Sequence, residues 1–234
     1  MVKIGGLQKM TLIDYPGKVA ATVFLVGCNF KCGYCHNPDL VRQTPGQEFI
    51  SEKDFFAFLE KRKGLLDAIC VSGGEPLCND EKELADFLHK IKKAGFLVKL
   101  DTNGFNFSLL EKLLAKKGLI DYVAMDVKAS LDRYGELTNI KNDFRNIEKS
   151  IKLIMDSGID YEFRTTVLPK FHDFTGFENL LKMVSGAKKF CIQNFSNRRT
   201  LDPRYNLETV FRYPELEKMR DLALKYVKQC EIRS

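Results

Sequence analysis

Val19-Ala20-Ala21-Thr22-Val23-Phe24-Leu25-Val26 is an apolar, partly β-branched run that ends in Gly27-Cys28-Asn29-Phe30-Lys31-Cys32-Gly33-Tyr34-Cys35-His36-Asn37-Pro38. The first half reads as a buried strand, and the second sets three thiols within eight residues at its mouth. The same pattern, an apolar run and then an amphipathic segment, recurs downstream. Strands are expected at residues 19–26, 68–72, 96–102, 122–128, 161–168 and 190–195. Ser51-Glu52-Lys53-Asp54 forms a capping box that opens a helix burying Phe55, Phe58 and Leu59. Leu84, Phe87, Leu88 and Ile91 share one helical face that stops at Gly95. Leu109, Leu110, Leu113 and Leu114 precede Gly118 in the same way. So do Phe144, Ile147, Ile151 and Ile154 before Gly158, and Phe177, Leu180, Leu181 and Val184 before Gly186. Pro214 suits the first turn of a last helix, in which Cys230 is placed, while residues 197–212 read as polar and irregular.

Alternating strands and helices require parallel strands with right-handed crossovers, so the chain is an open doubly wound sheet or an incomplete barrel. Six such units fall two short of a closed eightfold barrel. Either architecture gathers its ligand-binding residues after the C-terminal ends of the strands. The distinctive residues fall there. Cys28 follows the first strand, Gly73-Gly74-Glu75-Pro76 the second, and Asp101-Thr102-Asn103-Gly104 closes the third.

Composition narrows the function classes. The chain has 234 residues and a net charge of +6, but its basic residues are scattered in short clusters without interleaved aromatics, which does not favour nucleic acid as a partner. No apolar run is long enough to span a bilayer, the opening residues lack a cleavable signal pattern, and a cytoplasmic protein is expected. Seven cysteines, an odd number without even spacing, argue for ligand thiols in a reducing compartment rather than a disulfide framework. Thiolates suit iron–sulfur clusters, zinc or copper(I), and three of them leave one corner of a four-iron cluster open for chemistry. A zinc site would need a fourth protein ligand, for which His36 or Cys78 are the candidates. Cys70 and Cys191 read as core residues, and His89 and His172 as surface residues.

Cys-x3-Cys-x-aromatic-Cys, here Cys28, Cys32, Tyr34 and Cys35, resembles the signature of the radical S-adenosylmethionine superfamily. Tyr34-Cys35-His36-Asn37 and Asp14-Tyr15-Pro16-Gly17 resemble the glycyl-radical-enzyme activating enzymes, most of all those that activate anaerobic ribonucleoside-triphosphate reductase. The resemblance implies an α/β fold, a partial (β/α)6 TIM-like barrel of parallel strands, in one radical SAM domain over residues 1–234 with its core at about 18–230. It implies a 4Fe-4S cluster on Cys28, Cys32 and Cys35, and S-adenosylmethionine bound near Tyr34, Gly73, Gly74, Glu75, Pro76, Asp101, Thr102, Asn103, Asp126, Lys128 and Arg164. A monovalent cation beside Asp101, Thr102 and Asp126 is implied as well.

The implied reaction is reductive cleavage of S-adenosylmethionine to a 5′-deoxyadenosyl radical, with no side chain acting as general acid or base. That radical would remove a hydrogen atom from a backbone glycine of an anaerobic ribonucleotide reductase, with flavodoxin or ferredoxin as electron donor. The alternatives are a radical enzyme acting on a small molecule or modified nucleoside, and a metal-binding module without turnover. From residue chemistry alone, Asp126 and Lys128 share a strand face, and Arg164, alone among apolar neighbours, needs a carboxylate partner. Gln193 and Asn194 lie where they could reach a ligand.

Overall fold

The computed structural model describes residues 1–42 and 46–233. In chain order the elements are β1 (Ile4–Thr11), β2 (Ala20–Leu25), α1 (Pro38–Val41), α2 (Glu52–Glu60), β3 (Ala68–Gly73), α3 (Glu81–Lys93), β4 (Leu97–Thr102) and α4 (Phe107–Leu114). There follow β5 (Tyr122–Asp126), α5 (Tyr134–Thr138), α6 (Arg145–Asp156), β6 (Asp160–Val167), α7 (Phe174–Met183), β7 (Phe190–Asn194), α8 (Tyr213–Ala223) and β8 (Cys230–Arg233). The chain divides into two compact units. The first holds Met1–Asn29, Asp39–Thr102 and Ser108–Val123, and the second Phe30–Pro38, Asn103–Phe107 and Ala124–Ser234.

In the first unit β2, β3 and β4 are parallel, with Ala20 opposite Ala68 and Ala68 opposite Leu97. The expected capping box is present in its main part: Ser51 Oγ accepts from Asp54 N at 3.0 Å and starts α2. Phe55 and Leu59 are buried while Phe58 stays half-exposed. Leu84, Phe87, Leu88 and Ile91 on α3 are all fully buried, and Gly95 takes the left-handed conformation (φ 96°) that ends the helix. Each such apolar side chain contributes roughly 1.5–3 kcal/mol on leaving water. One strand departs from the expectation of strict alternation. β1 runs antiparallel to β2, with Ile4 opposite Leu25, and its register slips on either side of Gly6–Gln8.

In the second unit β6, β7 and β8 are parallel, with Phe163 opposite Phe190 and Phe190 opposite Cys230. Phe177 from α7 packs on Phe190 with ring centres 6.2 Å apart. Cys230 therefore opens a strand and does not sit in the last helix, which ends at Ala223. Beyond its ladder with β7, an ion pair ties this short strand to β6. Arg233 clamps the fully buried carboxylate of Glu162 with two hydrogen bonds, at 2.9 and 2.7 Å. Among the described residues no helix is long and apolar enough to cross a membrane.

Candidate functional site

In the first unit the C-terminal ends of β2 and β3 come into backbone contact. Gly74 N donates to Leu25 O at 2.9 Å, and Glu75 N to Gly27 O at 2.7 Å. Glycine is required by this approach: a Cβ on Gly73 would lie 2.2 Å from Leu25 O, and one on Gly74 would lie 2.0 Å from Gly27 O. Cys28 emerges half-buried just beyond this junction. The Glu75 carboxylate is buried, with Oε1 accepting from Leu77 N at 3.0 Å and from Thr102 Oγ1 at 2.7 Å. Thr102 ends β4, so the polar ends of two strands are locked together, and Pro76 begins a 3-10 turn from Pro76 to Cys78. Asp101 meets the ammonium of Lys99, a fully buried lysine two residues before it on β4. Lys99 also lies over the ring of Tyr122 at 6.0 Å. Its role escaped the sequence reading, although a lysine within an apolar strand, on the same face as an aspartate, signals it.

In the second unit the loop Phe30–Pro38 carries Cys32 and Cys35, and Cys35 N closes a turn on Cys32 O at 3.0 Å. Burial pushes the Cys32 thiol up to about 11 against the attraction of the Lys128 ammonium. The loop is braced by the segment read as irregular: Leu201 N donates to Cys35 O and Asp202 N to Gly33 O, each at 2.9 Å. Tyr205 fits so closely over Gly33 that a Cβ there would come within 2.3 Å of its ring. His36 stacks on Phe195 with ring centres 5.6 Å apart, and its Nε2 is held by Ser196 O at 2.7 Å. Tyr34 is buried between Phe195 and Tyr205, and its hydroxyl has no hydrogen-bond partner.

Three charged residues of this unit, Asp126, Lys128 and Arg164, are paired. Asp126 Oδ1 accepts from Arg164 Nε at 2.8 Å, and Oδ2 from Lys128 Nζ at 3.1 Å. Burial alone would raise the Asp126 carboxyl, but the two cations hold it well below the usual carboxylate range. Arg164 thus has the carboxylate partner its apolar strand demanded, and it is a residue of the chain itself. Asp101 and Asp126, the two carboxylates expected about a monovalent cation, each meet a lysine of the protein. Asn103 is buried and accepts from Phe105 N at 3.0 Å, shaping the turn before Gly104. Asn194 donates to Phe211 O at 2.9 Å, and its buried Oδ1 is unpartnered.

His172 corrects an expectation. It is buried rather than on the surface, with Nδ1 accepting from Leu168 N at 3.1 Å and Nε2 donating to Lys128 O at 2.9 Å. Among the described residues no group of three or more His, Cys, Asp or Glu is gathered around a place for a single metal ion. None of the seven cysteines is in a disulfide.

Residues 22–184 match the Radical SAM superfamily. A Methanocaldococcus jannaschii protein named as a glycyl-radical enzyme activating enzyme is 34% identical, over 99% of this chain and 95% of its own length. The pyruvate formate-lyase-activating enzyme of Clostridium pasteurianum is 28% identical, over 95% of this chain and 91% of its own. Among solved structures, Streptococcus suis SuiB superposes with a TM-score of 0.65 at 16% identity, covering 89% of this chain and 47% of SuiB. A domain of pyruvate-formate lyase-activating enzyme from Bacteroides vulgatus gives 0.58 at 12% identity, covering 72% of this chain and 99% of that domain. At such identities the structural likenesses speak for the fold alone, and they agree with the expected α/β class of largely parallel strands.

Proposed function

Because the chain belongs to the radical SAM superfamily, and within it is an enzyme of the glycyl-radical activating type, we propose that it generates the glycyl radical of an anaerobic ribonucleoside-triphosphate reductase. The family implies a 4Fe-4S cluster and S-adenosylmethionine, and activating-enzyme relatives imply a glycyl radical enzyme as substrate. In this reading Cys28, Cys32 and Cys35 hold the cluster. The observation that carries it is the loop itself: three soft thiols, none in a disulfide, supplied in eight residues directly after a strand end, with His36 Nε2 already engaged by Ser196. When bound, the cluster and S-adenosylmethionine would supply the electron-transfer and radical chemistry of the reaction.

The protein's own groups then position and exclude water. Gly73 and Gly74 let the ends of β2 and β3 meet, where any side chain would collide with the Leu25 and Gly27 carbonyls, and so fix the strand end beside which a ligand would lie. Asp126, Lys128 and Arg164 form a prepaid set of charges whose geometry is fixed before a zwitterionic ligand arrives. The unpartnered Tyr34 hydroxyl is a buried donor awaiting an acceptor. No side chain acts as a general base. A cytoplasmic setting keeps the thiols reduced, and the net charge of +6 favours an acidic flavodoxin or ferredoxin as donor.

The test mixes anaerobically reconstituted protein, S-adenosylmethionine and a reductant with an anaerobic ribonucleotide reductase and records the electron paramagnetic resonance spectrum. A glycyl doublet is expected. Formation of 5′-deoxyadenosine without the doublet would move the substrate assignment to another glycyl radical enzyme or to a small molecule.

A further inference from the structure

Asn29 Oδ1 is approached by two thiols, Cys28 Sγ at 3.9 Å and Cys78 Sγ at 3.6 Å. The two sulfurs are therefore no farther apart than those two contacts laid end to end. Cys28 lies in the loop after β2, and Cys78 ends the 3-10 turn that follows Gly73-Gly74. Their backbones are already tied to a common residue: Glu75 N donates to Gly27 O at 2.7 Å, and Cys78 N to Glu75 O at 3.1 Å. A disulfide needs the two sulfurs to close to about 2 Å, and the two short side chains supply the rotations that bring them towards each other. Cys28 is half-buried and Cys78 exposed, so a small oxidant has access to the pair, whereas Cys70 and Cys191 are sealed inside strands.

We propose that Cys28 and Cys78 form a reversible disulfide when the protein meets peroxide without metal in its cysteine loop. Each thiol gives up its proton, the pair loses two electrons to hydrogen peroxide, and the peroxide leaves as two waters. One consequence rests on the ligand reading above: the bond withdraws Cys28 from metal ligation and holds it in a form that a dithiol can restore, short of irreversible over-oxidation. The disulfide itself does not depend on that reading.

The experiment uses the full-length chain stripped of metal by chelation under nitrogen. It is exposed to hydrogen peroxide, blocked with iodoacetamide and mapped by mass spectrometry without reduction. The dominant product is expected to be a Cys28–Cys78 linked peptide pair that disappears with dithiothreitol. It should also be missing from Cys78→Ser and unchanged in Cys230→Ser, with circular dichroism of both variants matching the parent. A dominant Cys32–Cys35 link, or a Cys78 recovered fully alkylated, overturns the proposal. A parallel sample, loaded with iron and sulfide before peroxide, reads the consequence separately. At least tenfold less linked peptide is expected there, and an undiminished yield would keep the disulfide but remove Cys28 from the ligand set.

Discussion

Arg164 on β6 donates from Nε to Asp126 Oδ1, at the end of β5, across 2.8 Å. Lys128 takes the other oxygen, so two cations share this carboxylate in surroundings where Arg164 is 12% and Lys128 16% exposed. Asp126→Asn removes the negative charge that Arg164 and Lys128 share. A loss of about 2–3 kcal/mol is expected, less than for a fully dry pair because Asp126 is 30% exposed. Urea unfolding of the metal-free protein measures it, and a change below about 0.5 kcal/mol would show that solvent already screens the set.

His172 predicts a pH dependence. Burial lowers its pKa from the ordinary 6.5, so the folded protein keeps the imidazole neutral while the unfolded chain protonates it. Between the unfolded value and the lower folded one the unfolded state binds more protons. The stability supplied by neutral His172 is thus complete above about pH 6.5 and is lost as the pH falls towards the folded value. The stability difference between wild type and His172→Gln should shrink from pH 7.5 to pH 5, and a constant difference would contradict the assignment.

Two glycines separate backbone strain from collision. Gly95 has φ 96° with open space where a Cβ would go, whereas Gly73 has φ 131° and Leu25 O in the way at 2.2 Å. Gly95→Ala should cost about 1–2 kcal/mol from the left-handed conformation alone. Gly73→Ala should cost about 2 kcal/mol more through overpacking against the backbone. Equal midpoints in denaturant for the two variants would argue against the close approach of β2 and β3.

The buried Tyr34 hydroxyl has no partner in the ligand-free protein. Tyr34→Phe should therefore be neutral or stabilising by up to about 1–2 kcal/mol in thermal unfolding. In isothermal titration it should weaken S-adenosylmethionine binding to the reconstituted enzyme several-fold. A variant destabilised by more than 1 kcal/mol would reveal a hydrogen bond, direct or through water.

Cys28→Ala, Cys32→Ala and Cys35→Ala should each fail to retain iron and sulfide after anaerobic reconstitution, and each should abolish S-adenosylmethionine cleavage. Cys230→Ala, in β8, should retain both. Full iron content in any of the first three would remove that residue from the proposed ligands.

The elements legible beforehand were those whose pattern is local. The α3 face of Leu84, Phe87, Leu88 and Ile91 repeats at helical spacing and is buried as that spacing demands. The runs that became β2 to β7 are continuous enough to be recognised without partners. β1 was missed because Gly5-Gly6 and the polar Gln8-Lys9 break its apolar pattern, and pairing with β2 supplies what its own residues lack. β8 was missed because it has four residues and owes its place to Glu162, far away in sequence, clamped by Arg233.

What the sequence determined by itself was the spacing of three thiols after a strand, the glycines at the next strand end, and the alternation that makes such ends adjacent within a parallel sheet. Those are properties of short segments, governed by backbone sterics and side-chain periodicity. Only the tertiary structure decided which charges neutralise one another, since a partner is chosen by distance and not by order along the chain. Asp126 found Arg164, 38 residues away along the chain, and His172 went inside because two backbone groups were there to satisfy its nitrogens.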